Sequence, residues 1–242
     1  MNIEEYNTSI KEAGLNARKS AEEALGNEPL NKGGCTVRLQ AVVELGLQKS
    51  SNPEWNDKFE RRLSFEVCSK AHNTGKAGEL NHRLLHLYVP VATTFSPKTL
   101  ESRLLSALDY NKDKGNVTDH LGQPFKGVIK HVVKDGRVLE KLRVSPDDYE
   151  FSAPINEDLE TGEVSILNVP ELLRKPLMFL WENPYMPDGM YLEAWNSLYV
   201  EGVYKDGNSK NTLQNIIKGG LQFKGSRLEN LIEDAKSNFK PF

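Results

Sequence analysis

From Cys35 to Leu45 every odd-numbered residue is apolar, and Thr36, Arg38, Gln40 and Glu44 stand between them. Successive side chains of a β-strand point to opposite faces, so this spacing predicts a strand with one face buried. Phe59 to Val67 and Arg83 to Val91 carry the same kind of signal and predict two more strands. The connections between them are polar: Lys49 to Asp57 with Pro53, and Ser69 to Glu79 with Asn73, Gly75 and Gly78. The period then changes. Ser96-Pro97 pairs a capping side chain with a proline suited to the first helical position, and Leu100, Leu104, Leu105 and Leu108 follow on one helical face. Phe125 to Lys134 and Arg137 to Ser145 predict two further strands. Asp135-Gly136 joins them, residues that accept the positive φ of a tight hairpin, and Pro146 ends the second.

Strand, strand, strand, helix, strand, strand is the element order of the OB-fold, a five-stranded Greek-key barrel. Other small barrels and α+β folds share that order. The expected class is mainly β with added helices (α+β), in three parts. Residues 1–31 form an N-terminal helix, residues 32–146 an OB-type barrel core, and residues 147–242 an acidic segment and C-terminal extension packed on the core. The first helix rests on Tyr6, Ile10, Ala13, Ala17, Ala21 and Ala24, with Gly26 and Pro29 to stop it. Beyond Pro146 the pattern predicts a hairpin at Thr161-Gly162, a short strand from Leu177 to Trp181 and a mixed stretch from Tyr191 to Tyr204. A short helix around Leu213, Ile216 and Ile217 then ends at Gly219-Gly220, and Ser226-Arg227-Leu228-Glu229 opens a last one.

A net charge of −3 hides an uneven distribution. Lys32 to Pro146 holds 19 Lys and Arg against 12 Asp and Glu, a net +7, whereas Asp147 to Glu193 holds 2 against 11, a net −9. Such asymmetry points to nucleic-acid contact by the basic part. The acidic stretch from Asp147 to Glu171 could act as an internal competitor for a nucleic-acid groove on that basic part. With 38% hydrophobic and 27% charged residues the chain reads as globular, and no apolar run approaches the length of a membrane span. Only Cys35 and Cys68 are present, neither in a CxxC pair, and no secretory signal is visible, so a reducing cytoplasm is expected.

The fourth and fifth strands carry Lys126, Lys130, Lys134, Arg137, Lys141 and Arg143 against Asp135 and Glu140. Alternate residues on a strand are about 6–7 Å apart, close to the phosphate spacing of an extended single strand. Arg61 and Arg62 point to opposite faces, so one of them can line a groove; Arg62 is the candidate. Trp55, in a polar loop beside Lys58, and Tyr88, on the third strand, are the candidate base-stacking residues, while Phe59, Leu63 and Phe65 suit the interior. Lys70 and Lys76 sit in the glycine-containing loop and could close over a strand.

Enzyme signatures are absent: no P-loop, no GxSxG, no HExxH, no GxGxxG. His82 and His86 fall on a strand, too far apart to chelate one ion, and Asp147-Asp148 reads as a turn; no metal and no cofactor are expected.

Val37-Arg38-Leu39-Gln40-Ala41-Val42-Val43-Glu44-Leu45-Gly46-Leu47-Gln48 resembles a segment of bacteriophage OB-fold single-stranded DNA-binding proteins of the short-tailed-phage type. Leu63-Ser64-Phe65-Glu66, Leu121-Gly122-Gln123-Pro124, Trp195-Asn196-Ser197-Leu198 and Phe223-Lys224-Gly225-Ser226 extend the similarity over Gly34 to Ser226. The resemblance implies a non-catalytic role in phage DNA replication and recombination, with single-stranded DNA and replication proteins as partners, no membrane, and a homo-oligomer as one possible state. It also implies a partner-binding C-terminal phenylalanine. Phe242 matches, but Lys240 stands where acids are expected. Two other readings compete with DNA binding: a structural or assembly protein that oligomerises without nucleic acid, and a nuclease with acidic metal ligands.

Overall fold

The computed structural model describes residues 29–69, 72, 81–91, 96–134, 136–143, 150–158, 160–204 and 207–238. The expected N-terminal helix and the Asp147-Asp148 pair lie outside the described residues. The class is mixed α+β: a mostly antiparallel sheet with four α-helices among the described residues.

Strands β1 (Gly33–Gln48), β2 (Lys58–Val67) and β3 (Leu84–Pro90) follow one another as expected. Helix α1 (Leu100–Leu108) starts later than Ser96-Pro97 suggests. Its cap is Thr99, whose hydroxyl accepts the Ser102 amide at 3.2 Å, because Ser96 is used up in a turn that receives the Thr99 amide at 2.9 Å. A short 3-10 turn (Val117–His120) leads to β4 (Pro124–Lys134) and β5 (Arg137–Leu142). Hydrogen-bonded neighbours run β3-β2-β1-β4-β5, each pair antiparallel. The expected closed barrel is not found among the described residues. β3 and β5 come within 8 Å of each other without a ladder between them. Side chains meet at this seam instead: Arg83, just before β3, pairs with Glu140 of β5, and Glu140 also accepts the Leu30 amide.

β1 departs most from its simple alternation. Relative to β2 it carries an extra residue between Leu39 and Ala41 and another between Glu44 and Gly46. A one-residue bulge turns the following side chains to the opposite face. Val37, Leu39 and Val42 therefore enter one core, with Phe65, Phe125 and Phe151, while Ala41, Val43 and Leu45 enter a second on the other side of the strand. The odd-numbered apolar row is thus shared between two cores, and β1 is buried on both faces rather than one.

In the first core Phe65 and Phe151 stack at 4.8 Å, so the chain beyond β5 returns a side chain to the interior. A two-stranded hairpin follows, β6 (Ile155–Glu157) and β7 (Val164–Ile166), around the expected turn at Gly162. β8 (Leu177–Phe179) then runs parallel to β1 over Ala41–Val43. Helices α2 (Asp188–Ser197), α3 (Thr212–Lys218) and α4 (Arg227–Asn238) cover it. Phe179, Tyr191, Trp195, Leu213 and Ile217 are their main contribution to the second core. Gly46 is required where this layer meets β1: its φ is +76° and a Cβ there would sit 3.4 Å from the Trp181 ring.

Candidate nucleic-acid interface

The outer face of β2 and β3 is set by what fills the inside. Leu63, Phe65, Leu85 and Val89 enter the first core, so Arg62 and Tyr88 must point outward. They are direct partners in the ladder, which sets the Tyr88 hydroxyl beside the guanidinium. Burial pulls the Arg62 guanidinium below its usual pKa range, while the nearby Tyr88 and Tyr204 hydroxyls oppose that shift. Arginine keeps its charge through such changes. Its Nε is buried without a hydrogen-bond partner among the described residues. Tyr88 remains 49% exposed, so half of its surface is free to meet a base.

Arg61 takes the opposite face, as alternation requires. Its guanidinium is held by Glu44 at 2.7 Å and Glu101 at 2.6 Å, a structural role that removes it from any groove. Lys58 shares the outer face with Arg62, about 13 Å away along β2. Its ammonium lies 5.1 Å from the Trp55 ring centroid. Trp55 is 61% exposed on a loop held by two turns: the Asn52 side chain accepts the Glu54 amide at 3.0 Å and the Asn52 carbonyl accepts the Trp55 amide at 3.0 Å.

Sequence reasoning missed one contributor. Tyr204 belongs to a small loop closed by the Val203–Ser209 bridge and by the Tyr204 amide donating to the Asn208 carbonyl at 2.8 Å. Gly207, with φ +82°, makes the turn possible, and Lys210 places its ammonium 6.0 Å from the Tyr204 ring. The available signal was Asp206-Gly207 flanked by an aromatic, a tight-turn pattern inside a stretch read only as mixed. The second core seats this layer on β1, beside Arg62, which turns the β2–β3 face into a floor with one wall.

The basic row lies on β4 and β5. Phe125 and Ile129 face inward, so Lys126, Lys130 and Lys134 face outward. Lys130 stands directly opposite Lys141, and Lys134 opposite Arg137 in backbone register. Like charges directly opposite destabilise a sheet, which favours an anionic partner over them. Among the described residues Lys126, Lys130, Lys134 and Lys141 form no ion pair. Arg143 differs: it pairs with Glu150 at 2.7 Å. The row and the Arg62–Tyr88 pair are not continuous across β1. The helical layer covers one half of that strand's outer face. Over the other half, Arg38 donates to the Val169 and Pro170 carbonyls at 2.9 and 2.8 Å and Gln40 to the Lys175 carbonyl at 2.8 Å. Lys70, Lys76 and Phe242 lie outside the described residues.

The acidic block divides. Glu150 neutralises Arg143, Glu171 meets Arg38 at 2.9 Å, and Ser152 bridges to Lys126 on the edge of β4. Glu157, Asp158, Glu160 and Glu163 remain exposed on the β6–β7 hairpin.

Among the described residues the ligating atoms of Glu66, Cys68 and His82 lie within 4.8 Å of one another. Their polar atoms already have protein partners. Glu66 is fully buried and accepts the Leu173 amide at 2.6 Å and Arg174 at 3.2 Å, with His82 Nδ1 at 2.8 Å, and the Cys68 thiol donates to the Glu66 carbonyl at 3.2 Å. Burial pushes both the Cys35 and Cys68 thiols up to about 12. The thiolate is the reactive form, so neither cysteine should react with iodoacetamide at pH 8 in the folded protein. Mass spectrometry should find both alkylated only after denaturation; rapid labelling of either in the native state would contradict this burial.

No helix among the described residues is long and apolar enough to cross a membrane. Compared with family models, curated proteins and solved structures, the chain matches none of them.

Proposed function

We propose that this chain holds single-stranded DNA, without sequence preference and without cleaving it, on the outer face of β2 and β3. The Arg62–Tyr88 pair carries the reading: a charged guanidinium beside a half-exposed aromatic ring. Cations meet phosphates and aromatic faces stack bases, which is how sequence-tolerant single-strand binders work. Trp55 with Lys58, and Tyr204 with Lys210, repeat the same combination on either side. The fold supports it too. In the OB-fold the ligand lies over strands two and three and the first connecting loop. The neighbour order β3-β2-β1-β4-β5, with β3 approaching β5, supports the comparison with that barrel. A role in phage replication or recombination, coating transient single strands, is the matching biological proposal.

The test is a fluorescence-anisotropy titration with labelled oligo-dT, repeated across salt concentrations. Tight binding that weakens steeply with salt, and far weaker binding of duplex, is the expected result. Absence of binding at low salt would remove the proposal. Incubation of single strands with magnesium or manganese should leave their length unchanged; shortening would favour the nuclease reading. Lys58→Ala should lower affinity for every sequence alike and flatten the salt slope by about 0.7, one phosphate contact on a single strand. An unchanged slope would take the Lys58 end of β2 out of the interface.

A further inference from the structure

Among the described residues no layer covers the β6–β7 hairpin. Its strands are three residues each, and a two-stranded hairpin of that size is at best marginally stable alone. Val164 and Ile166 share one face and are 60% and 83% exposed. Around them stand Glu157, Asp158, Glu160 and Glu163, all exposed and none in an ion pair among the described residues. Hydrogen bonds from the Thr161 and Glu160 amides hold the Asp158 carboxyl below its ordinary range, so it stays charged. The hairpin is therefore an apolar knob in an anionic collar.

A surface of the opposite character exists on the same molecule. On the outer face of β4 and β5 the Lys130–Lys141 rung and the Lys134 rung flank an apolar rung, Val132–Leu139. Leu139 is 38% exposed, and the lysines form no ion pair among the described residues. Among the described residues both surfaces are open, and neither covers the other within one molecule.

We propose that the β6–β7 hairpin docks on the β4–β5 face of a second copy of this chain, Val164 and Ile166 meeting Val132 and Leu139 while the acids meet the lysines. The two patches are different, so the contact is head-to-tail. Every assembly keeps one free knob and one free face at its ends, and growth is limited only by concentration and by salt, which screens the collar.

Sedimentation velocity of the full chain without DNA tests this, which separates it from the DNA-binding proposal. Either can fail alone. At low salt the wild type should sediment with a mass that rises with concentration to about two copies or more, and return to one copy at high salt. K130E/K141E and E160K/E163K should each sediment as single copies, because each reverses two of the charges that attract the opposite patch. An equimolar mixture of the two should regain association in pairs, since the unaltered knob of the first variant then meets the unaltered face of the second. V164S/I166S, which changes no charge, should also weaken association. Circular dichroism checks that each variant is folded. A wild type that remains a single copy at every concentration overturns the proposal, and so does a mixture that stays dissociated.

Discussion

Alanine in place of Tyr88 is expected to weaken oligo-dT binding by about 1–3 kcal/mol, roughly 5- to 150-fold, the range for loss of one stacked base. The ring is half exposed and contributes to neither core, so thermal stability should scarcely change. Removing Trp55 as well should multiply the loss, because Trp55 sits over Lys58, about 13 Å along β2 from the Arg62–Tyr88 rung, and the two share no partner among the described residues. Tyr88→Phe separates the two functions of the side chain. It keeps the ring and loses the hydroxyl that engages Arg62, so most of the affinity should survive. Anisotropy titrations of the three variants at one salt concentration give the comparison. Equal affinity of Tyr88→Ala and wild type would move the interface away from β3.

Phe179→Ala should be the most damaging single change in the second core. The ring is fully buried, stacks on Tyr191 at 5.4 Å and leans on Trp195 at 6.0 Å. Truncating a buried phenylalanine costs about 3–5 kcal/mol. Urea denaturation followed by tryptophan fluorescence and by circular dichroism should show the midpoint falling with one shared transition. β1 belongs to both cores, so neither can lose its packing without disturbing a strand the other needs. Two separated transitions would mean that the helical layer unfolds on its own, contrary to this coupling.

How much of the molecule was legible in its sequence depends on how local each cause is. The strands β1 to β5 and the helix among them follow from nearest-neighbour periodicity, and their order was readable. The outward direction of Arg62 was readable as well, since Leu63 and Phe65 fix the parity of β2. The bulge at Gln40 was not. A row of apolar residues at alternate positions looks the same whether it feeds one core or two, and only the pairing with β2 reveals the change of face. α2 was also hidden. It begins at Pro187 without a side-chain cap, and its buried residues among those seen as mixed, Tyr191 and Trp195, are aromatics that suit a strand equally well. In the candidate site the charges misled. Arg38, Arg61 and Arg143 count toward the basic block, yet each is held by an acid, from Glu171, from Glu44 and Glu101, and from Glu150. Tyr204 joins Arg62 across a long stretch of chain, a proximity that no local pattern encodes.

The pairing of Val43 with Phe179 has a consequence during synthesis. The partner of that strand emerges from the ribosome 136 residues later. At about 5–20 residues per second, the outer face of β1 waits roughly 7–27 s for its cover. Throughout that interval Ala41, Val43 and Leu45 form a bare apolar stripe on a nascent sheet, the kind of surface a ribosome-associated chaperone recognises. Slower translation of the segment that ends at Phe179 should therefore lower the soluble yield, whereas slower translation after α4 should not.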